Sequence, residues 1–368
     1  MGCSLDREEG ITLGYPEIVI DLAKLTHNAR VVCEKAAAHN IKVAGVTKAC
    51  LAHEAVARAM VAGGVAELAD SRLENLEHLR RLGLGVPLML LRIPGLSQVK
   101  DTVALAETSL NSEYEVMSAL GEEAKHQGKL HGVIIMVDLG DLREGVLPKE
   151  ALPLARQVSK NRGLRLRGLG VNLACYGGVA PSVENLSQLV ELTKNVERET
   201  GTNLEVVSGG NSSSLGLLFD RQIPAGISHL RIGEGILLGR ETVARNPLPD
   251  TYQDAFFIRA EVVEVHVKPS LPRGTVGQDA FGRVPYFADK GPMIRAIVAL
   301  GRQDVPSDGI YPLDERVQVI GASSDHLILD AGKKPGIKVG DTVKFGLNYG
   351  GLLGAMTSPF VRKRVREF

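Results

Sequence analysis

Short apolar runs rich in β-branched residues alternate with amphipathic stretches from Tyr15 onward. This alternation is typical of βα units built around a parallel sheet. The first amphipathic stretch follows Asp21, a residue type that caps helix N-termini. Its apolar positions recur at helical spacing, at Leu22, Leu25, Ala29, Val32, Cys33 and Ala36. The pattern therefore predicts a long helix over residues 22–39.

Eight short apolar runs follow that helix. They occupy residues 42–47, 65–69, 86–91, 107–110, 131–138, 164–171, 204–207 and 229–232. Most of the segments between them have helical periodicity, as Leu73, Leu76, Leu79 and Leu82 illustrate. Eight parallel strands joined by helices close a TIM-like α/β barrel, and such barrels place their active sites at the C-terminal ends of the strands.

The pattern changes at the Pro-rich segment 246–249, after which alternating strands are separated by Gly, Pro and Asp turns. The strand-like runs are FFIRAEVVEVHV, MIRAIVALG, RVQVIG, HLILD and DTVKFGL. We therefore expect a disordered leader over residues 1–14, the barrel over 15–245, and a C-terminal all-β domain over 246–368.

Composition narrows the range of partners. The 368 residues contain 43 Lys+Arg and 43 Asp+Glu, so the chain has no net charge that would attract nucleic acid or an anionic membrane. No apolar run approaches the roughly 18 residues of a membrane span, and the N-terminus has no secretion signal. The four cysteines form no C-x-x-C pair, which indicates reduced thiols and no metal site. We expect a cytoplasmic protein that binds a small molecule and copies of itself.

Lys48 follows the first barrel strand in GVTKACLAH, which places its amine at the barrel mouth. A partly buried lysine has a readily shifted pKa and can form a Schiff base with an aldehyde. The alternative is an ordinary surface lysine at a strand end.

The loops after the last two barrel strands are rich in small residues: SGGNSSSLG (208–216) and RIGEG (231–235). In barrels of this kind these loops form the usual phosphate site, because small residues let backbone amides approach the anion. The alternative for each loop is a flexible Gly/Ser connection. A lysine opposite a phosphate site is what an enzyme dependent on pyridoxal 5'-phosphate requires.

Arg143 follows the fifth barrel strand in MVDLGDLREG. Its guanidinium could bind a substrate carboxylate through two parallel hydrogen bonds. The alternative is an exposed salt bridge with Asp141 or Glu144.

The chain resembles the fold-type-III pyridoxal-phosphate racemases, which are also called the alanine racemase superfamily. Within that superfamily it resembles the alanine/ornithine racemase branch. The similarity runs from about Tyr15 to Tyr349. The motifs that carry it are IDLAKLTHNAR, GVTKAC, ADSRLENLEHL, LLRIPGL, MVDLGDLREG, GVNLACYGG, SGGNSSS, LRIGEGILLGRE, QDAFG and GASSDHL.

The resemblance implies roles for particular positions. Lys48 would bind pyridoxal 5'-phosphate covalently and serve as one acid/base group. Ser212 and the amides of Gly233 and Glu234 would bind the phosphate, with Tyr349 as a further contact. The resemblance places Arg231 at the pyridine nitrogen, and Arg143 near the phenolic oxygen and the substrate carboxylate. Because arginine keeps its proton at neutral pH, the ring opposite Arg231 should be a weak electron sink, which suits racemisation.

The chain departs from alanine racemases at two points. Those enzymes take a second acid/base, a tyrosine, from the partner subunit's β domain, but the matching segment GTVGQDAFGR (274–283) has none. Asp279 or His326 is our hypothesis for that role; the alternatives are a turn aspartate and a histidine satisfied within a β turn. Met136 stands where alanine racemases commonly carry a carbamylated lysine that orients the arginine.

These departures favour a substrate other than alanine. An acidic Asp279 suits a distal amine, so we expect an amino-acid racemase acting on ornithine or another basic amino acid, in a head-to-tail homodimer. The alternatives are an alanine or broad-specificity racemase, a decarboxylase or aldolase of the same fold, and a pyridoxal-phosphate-binding protein.

Overall fold

The structure is a computed structural model that describes residues 14–334 and 336–366. Most of the expected leader therefore lies outside the described residues. Within them the chain begins with β1 (Glu17–Asp21). The last residues aside, it divides into a barrel unit, Asp21–Ala255, and a β unit that joins the residues up to Ile20 with Phe256–Arg364.

The barrel unit contains a closed barrel of eight parallel strands, which confirms the predicted fold class. Each of the eight apolar runs contains or overlaps one strand. The strands are β2 (Lys42–Val46), β3 (Glu67–Asp70), β4 (Leu88–Leu90), β5 (Thr108–Asn111), β6 (His131–Val137), β7 (Leu164–Val171), β8 (Val206–Ser208) and β9 (His229–Ile232).

Helices alternate with the barrel strands. They are α1 (Leu22–Ala37), α2 (Glu54–Ala62), α3 (Leu73–Leu82), α4 (Val99–Leu105), α5 (Tyr114–His126), α6 (Pro148–Val158), α7 (Val183–Thr200), α8 (Leu215–Phe219) and α9 (Glu234–Leu237). The Asp21 carboxylate accepts a hydrogen bond from the Lys24 amide, so Asp21 caps α1. None of the helices in the described ranges is long and apolar enough to cross a bilayer.

Apolar side chains fill part of the barrel interior. One buried cluster takes residues from six of its strands: Ala44, Val46, Ala69, Met89, Leu110, Ile134, Met136 and Val206. Because side chains alternate along a strand, this cluster shows which positions of these six strands point inward.

The β unit contains, besides β1, the strands β10 (Phe256–Pro269), β11 (Pro292–Val298), β12 (Ile310–Pro312), β13 (Gln318–Ala322), β14 (Leu327–Asp330), β15 (Thr342–Leu347) and β16 (Arg362–Arg366). They form a largely antiparallel sheet in the order β12-β15-β10-β11-β14-β13, with β1 beside β10 and β16. A short helix, α10 (Tyr349–Thr357), follows β15.

The boundary between the units differs from the one expected at 245/246, because it falls after Ala255. Residues 15–20, expected in the barrel, belong to the β unit. There Ile18 of β1 pairs with Ile258 of β10, and both side chains are buried. The buried Glu17 carboxylate also lies 3.1 Å from the guanidinium of Arg259. These partners are more than 200 positions away in sequence, so local hydrophobic pattern could not reveal them.

Gly168 on β7 provides a test of barrel packing. A Cβ added there would lie 1.7 Å from the carbonyl oxygen of Val206 on β8, a backbone atom that cannot move aside alone. We expect Gly168→Ala to destabilise the protein by about 3 kcal/mol or more, measured by urea unfolding. Gly216→Ala in α8 is the matched control, because its Cβ meets nothing within 4 Å and alanine favours a helix. Equal urea midpoints for Gly168→Ala and the wild type would contradict this account.

Candidate active site

Lys48 stands at the C-terminal end of β2, at the barrel mouth. Ala44 and Val46 belong to the interior cluster, so one more step of the alternation leads to Lys48. A single 3₁₀ turn, Lys48–Cys50, begins at this residue, and the Lys48 side chain is exposed to solvent in the mouth. The amine is therefore accessible to a ligand that enters from this end.

Asp70, at the end of the neighbouring strand β3, fixes the backbone beside Lys48. Its fully buried carboxylate accepts a hydrogen bond of 2.7 Å from the Thr47 hydroxyl and one of 3.0 Å from Asn75. Burial raises the pKa of Asp70, and these hydrogen bonds partly offset the effect. The residue before Lys48 is thus anchored to a carboxylate that sequence reasoning did not single out.

The surroundings lower the pKa of Lys48 below its ordinary value of 10.5. Desolvation by the walls of the mouth is the largest cause, although part of the side chain meets solvent. Among the charges, Cys175 and Asp70 raise the pKa, whereas Arg143 and Arg231 lower it. A larger share of the amine is therefore neutral, and hence nucleophilic, at physiological pH than for an ordinary lysine.

Arg231 lies on β9 with only 4% of its surface exposed. Its Nη2 donates a 2.8 Å hydrogen bond to the carbonyl of Val171, and its Nη1 donates to the Ser208 hydroxyl. Burial lowers the pKa of Arg231 to about 10, while the charge of Glu144 raises it. The guanidinium therefore stays protonated at neutral pH, and its plane is fixed by two acceptors.

A buried chain of polar groups extends from Arg231 into the barrel. The Ser208 Oγ lies 2.8 Å from His229 Nδ1, and His229 Nε2 lies 2.8 Å from Glu67 Oε1. Because arginine can only donate, the Ser208 hydroxyl proton is directed to His229 Nδ1, which leaves the imidazole proton on the nitrogen facing Glu67. Burial lowers the pKa of His229, in keeping with a neutral ring.

The loop after β8 is ordered by Asn211, whose side chain accepts from the Ser213 amide at 2.8 Å. The hydroxyl of the neighbouring Ser212, which is 3% exposed, accepts a 3.0 Å hydrogen bond from the Gly235 amide in α9. The two Gly-rich loops therefore meet, with a hydroxyl beside the backbone amides at the start of α9. Gly233 precedes that helix; a Cβ there would lie 3.3 Å from Val46 Cβ, tighter than usual contact.

The side chain of Glu234 takes no part in that amide cluster. It is largely buried and pairs with Arg245. Burial raises the pKa of Glu234, and Arg245 lowers it. Only the backbone amide of Glu234 is therefore suited to an anion.

Arg143 lies in the loop after β6 and is 42% exposed. Its Nη1 donates a 2.8 Å hydrogen bond to Oε1 of Glu144, one of the two salt-bridge partners considered from the sequence. Met136, at the position discussed for a carbamylated lysine, is fully buried in the barrel cluster. An adjacent carboxylate, and not a group on β6, therefore holds the guanidinium.

Asp141 joins the loops after β6 and β7. Its buried carboxylate accepts hydrogen bonds from the amides of Cys175, Tyr176 and Val179. Cys175 is exposed and makes the largest charge contribution to Lys48, so this ordered loop also borders the mouth. No sequence pattern indicated a role for Cys175 beyond its position after a barrel strand.

Asp279 and His326 lie in the β unit. The Asp279 Oδ1 accepts hydrogen bonds of 2.9 Å from the amides of Phe281 and Arg283, and these bonds lower its pKa. His326 Nδ1 lies 3.1 Å from Asp325 Oδ1, and its ring is half-exposed. Each residue therefore orders its own turn, as the alternatives from sequence described, and their catalytic roles stay predictions.

Arg302 links the two segments that contain Asp279 and His326. Its guanidinium stacks 4.0 Å above the ring of Phe281, and its amide donates to the Ser323 carbonyl. The two candidates therefore belong to one end of the β unit.

Tyr349 is the first residue of α10 in the β unit, where Asn348 caps the helix by accepting from the Gly351 amide at 2.9 Å. The sequence pattern had not indicated this helix. The role of Tyr349 as a phosphate contact stays a prediction.

The residues at the barrel mouth fit pyridoxal 5'-phosphate. Three cations, Lys48, Arg143 and Arg231, interact there, which suits a ligand with a phosphate and a substrate with a carboxylate. Ser212 and the start of α9 offer a hydroxyl and backbone amides to the phosphate, and Lys48 offers an amine to the aldehyde. No side chain has to be displaced from a bond to Lys48 in the described residues for this to occur.

Comparison with known proteins supports the same reading. The family model for the alanine racemase N-terminal domain matches residues 20–240. An ornithine racemase of Acetoanaerobium sticklandii is 42% identical over 95% of this chain and 99% of its own length. A lysine racemase of Thermotoga maritima is 40% identical over 95% and 98%.

The fold comparison agrees. A crystal structure of alanine racemase from Bartonella henselae with covalently bound pyridoxal phosphate has a TM-score of 0.74 and 18% identity, covering 96% of this chain and 100% of that one. The motif resemblance is thereby confirmed, and the chain belongs to the alanine racemase family.

Proposed function

We propose that the protein is a pyridoxal-phosphate-dependent racemase that interconverts the L and D forms of a basic amino acid, ornithine or lysine. One observation carries the proposal: an amine of lowered pKa, Lys48, lies at the barrel mouth together with Arg143 and Arg231. The near-full-length similarity to an ornithine racemase and a lysine racemase supports the substrate class.

The cofactor, when bound, supplies an electron-accepting ring that acidifies the Cα–H bond of the amino acid attached to it. Lys48 holds the cofactor and then takes or returns the Cα proton on one face, for which its lowered pKa makes it suitable at neutral pH. Arg231 would face the pyridine nitrogen and, because it keeps its own proton, would leave the ring a modest electron acceptor. Arg143 binds the substrate carboxylate.

In the barrel unit, Ser212 and the amides of Gly233 and Glu234 would bind the phosphate. The contact expected for Tyr349 stays a prediction from the resemblance. Anchoring the phosphate would keep Cα of the substrate within reach of Lys48 during both proton transfers.

Racemisation needs a second acid/base on the opposite face of Cα. His326 is the better candidate for this role, because the pKa of Asp279 is lowered by the amides it accepts from, which makes Asp279 a poor proton donor. We propose that a second copy of the chain contributes this group in a head-to-tail homodimer in the cytoplasm. Full racemase activity in a strictly monomeric preparation would contradict the shared site.

A panel of L-amino acids tests the substrate class. We expect loss of optical rotation with L-ornithine and L-lysine at a kcat/KM at least about tenfold above that with L-alanine, because a matched distal charge is worth a kcal/mol or more in a site. Polarimetry or chiral chromatography of the holoenzyme measures it. Release of carbon dioxide or of an aldehyde, without racemisation, would indicate a decarboxylase or an aldolase instead.

Asp279→Asn tests the origin of the preference. The lowered pKa keeps Asp279 ionised at neutral pH, and its Oδ2 accepts no hydrogen bond within the described residues, so it can face an ammonium group. We expect the ornithine-to-alanine ratio of kcat/KM to fall about tenfold. Asp289→Asn, another carboxylate that orders a turn of the same segment, is the control. An unchanged ratio would remove Asp279 from substrate recognition.

A further inference from the structure

Glu144 has a carboxylate oxygen that is enclosed without a partner. Its Oε1 accepts from Arg143, but Oε2 is buried and receives no hydrogen bond from any residue that the structure describes. The side chain as a whole is only 17% exposed, whereas exposed surface ion pairs leave both oxygens in water. Keeping a charged oxygen out of solvent is costly, so it calls for compensation by nearby positive charge.

That compensation comes from two arginines. Glu144 is the strongest favourable charge acting on Arg231, while Arg143 acts unfavourably on the same guanidinium. Both arginines also lower the pKa of Lys48. A single carboxylate thus offsets the repulsion between two cations at the mouth.

The loop holds Glu144 rigidly in this place. Directly after it, the Val146 amide donates to the Met136 carbonyl and the Asp138 amide donates to the Val146 carbonyl, both at 2.9 Å. Gly145 permits this closure with a φ of +136°, and a Cβ there would lie 2.6 Å from the Asp138 nitrogen. The backbone on the C-terminal side of Glu144 is therefore tied to the barrel wall.

Glu144 also approaches the candidate phosphate site. The side-chain Nδ2 of Asn172 lies 3.5 Å from Oε1 of Glu144. The Oδ1 of Asn172 accepts a 2.8 Å hydrogen bond from Nδ2 of Asn211. Asn211 is the residue that caps the turn after β8. One polar path therefore joins the loops that follow β6, β7 and β8.

We propose that Glu144 is a positioning residue: it orients the Arg143 guanidinium toward the substrate carboxylate and neutralises the Arg143–Arg231 pair so that the charge around Lys48 is balanced. The inference rests on the proposed function for the role of Arg143. It provides a physical reason why this chain functions with a buried methionine at position 136, since the carboxylate that holds the arginine comes from the loop.

Glu144→Gln in the holoenzyme is the test, because glutamine keeps the shape and removes the charge. We expect KM for ornithine or lysine to rise about tenfold or more with a smaller change in kcat, because Arg143 loses its fixed direction. We also expect the pH midpoint of the visible absorbance of the lysine-bound cofactor to move down by about half a unit or more, since the positive charge is no longer balanced. Glu191→Gln, which removes an exposed carboxylate paired with Lys194, should change neither quantity.

Two further variants keep the test decisive if Glu144→Gln folds poorly. Glu144→Asp should retain the wild-type pH midpoint, and Glu144→Ala should regain a low KM when formate or acetate is added. Unchanged KM and midpoint in Glu144→Gln, or no response of Glu144→Ala to either anion, would reduce Glu144 to an ordinary ion pair. A wild-type protein that binds the cofactor but racemises neither amino acid would refute the proposed function, and the pH midpoints would still decide the charge role.

Discussion

Replacing Lys48 by alanine is expected to lower racemase activity by at least about 10⁴-fold, because a positioned acid/base group alone contributes roughly 10²–10⁴ and the covalent anchor of the cofactor is lost as well. The variant should also lose the visible absorbance of the lysine-bound cofactor. In the wild type, borohydride should fix the cofactor on Lys48, identifiable by peptide mass spectrometry.

Lys42→Ala is the matched control for Lys48. Lys42 is an exposed lysine at the opposite end of the same strand, β2. It should leave the absorbance and the activity close to those of the wild type. A Lys48→Ala protein that remains coloured and active, or a borohydride label on another lysine, would rule out the covalent link on which the function depends.

Arg231→Gln is expected to lower kcat/KM by about 10²–10³-fold, the usual cost of removing a preorganised charged donor from an active site. Glutamine can replace only part of the hydrogen bonding to Ser208 and the Val171 carbonyl, and it leaves the Ser208–His229–Glu67 chain without its cation. Steady-state kinetics of the refolded or natively purified variant measures the loss, and circular dichroism checks the fold.

Arg165→Gln is the control for Arg231. Arg165 is an exposed arginine on the barrel strand β7, where it pairs with Glu205. Its replacement should leave kcat/KM unchanged. If Arg231→Gln kept the wild-type rate with a normal fold, the guanidinium could not be the group that sets the electronic state of the ring.

The barrel was predictable because each strand carries its own signal. An apolar run between amphipathic helices is a local pattern, so the strands from β2 to β9 could be read from the chain with errors of only a few residues. The cap at Asp21 and the helix α1 are local for the same reason. In such barrels the segments that follow the strands lie at the C-terminal face, which predicts that Lys48 and the two Gly-rich loops share one end of the barrel.

Features that depend on distant partners were not predictable in this way. The assignment of β1 to the β unit depends on pairing with β10, and the polar chain behind Arg231 depends on strands that meet only when the barrel closes. Sequence reasoning left the partner of Arg143 open between two acidic residues, since the choice depends on how Gly145 turns the loop. Asp279 and His326 were hypotheses raised by a tyrosine missing from residues 274–283, and Tyr349 was assigned by resemblance alone. The contacts described within the β unit do not test the roles proposed for these residues.

The position of β1 has a consequence for biosynthesis. This strand is translated before the barrel unit, yet its neighbour β10 is translated only after the entire Asp21–Ala255 unit has been made. During that interval the side chains of Ile18 and Ile20, which are buried in the folded protein, lack their native packing partners. A nascent chain arrested near Ala255 is therefore a candidate for chaperone capture at β1, and a gene fragment that starts at Phe256 would encode a sheet that lacks this strand.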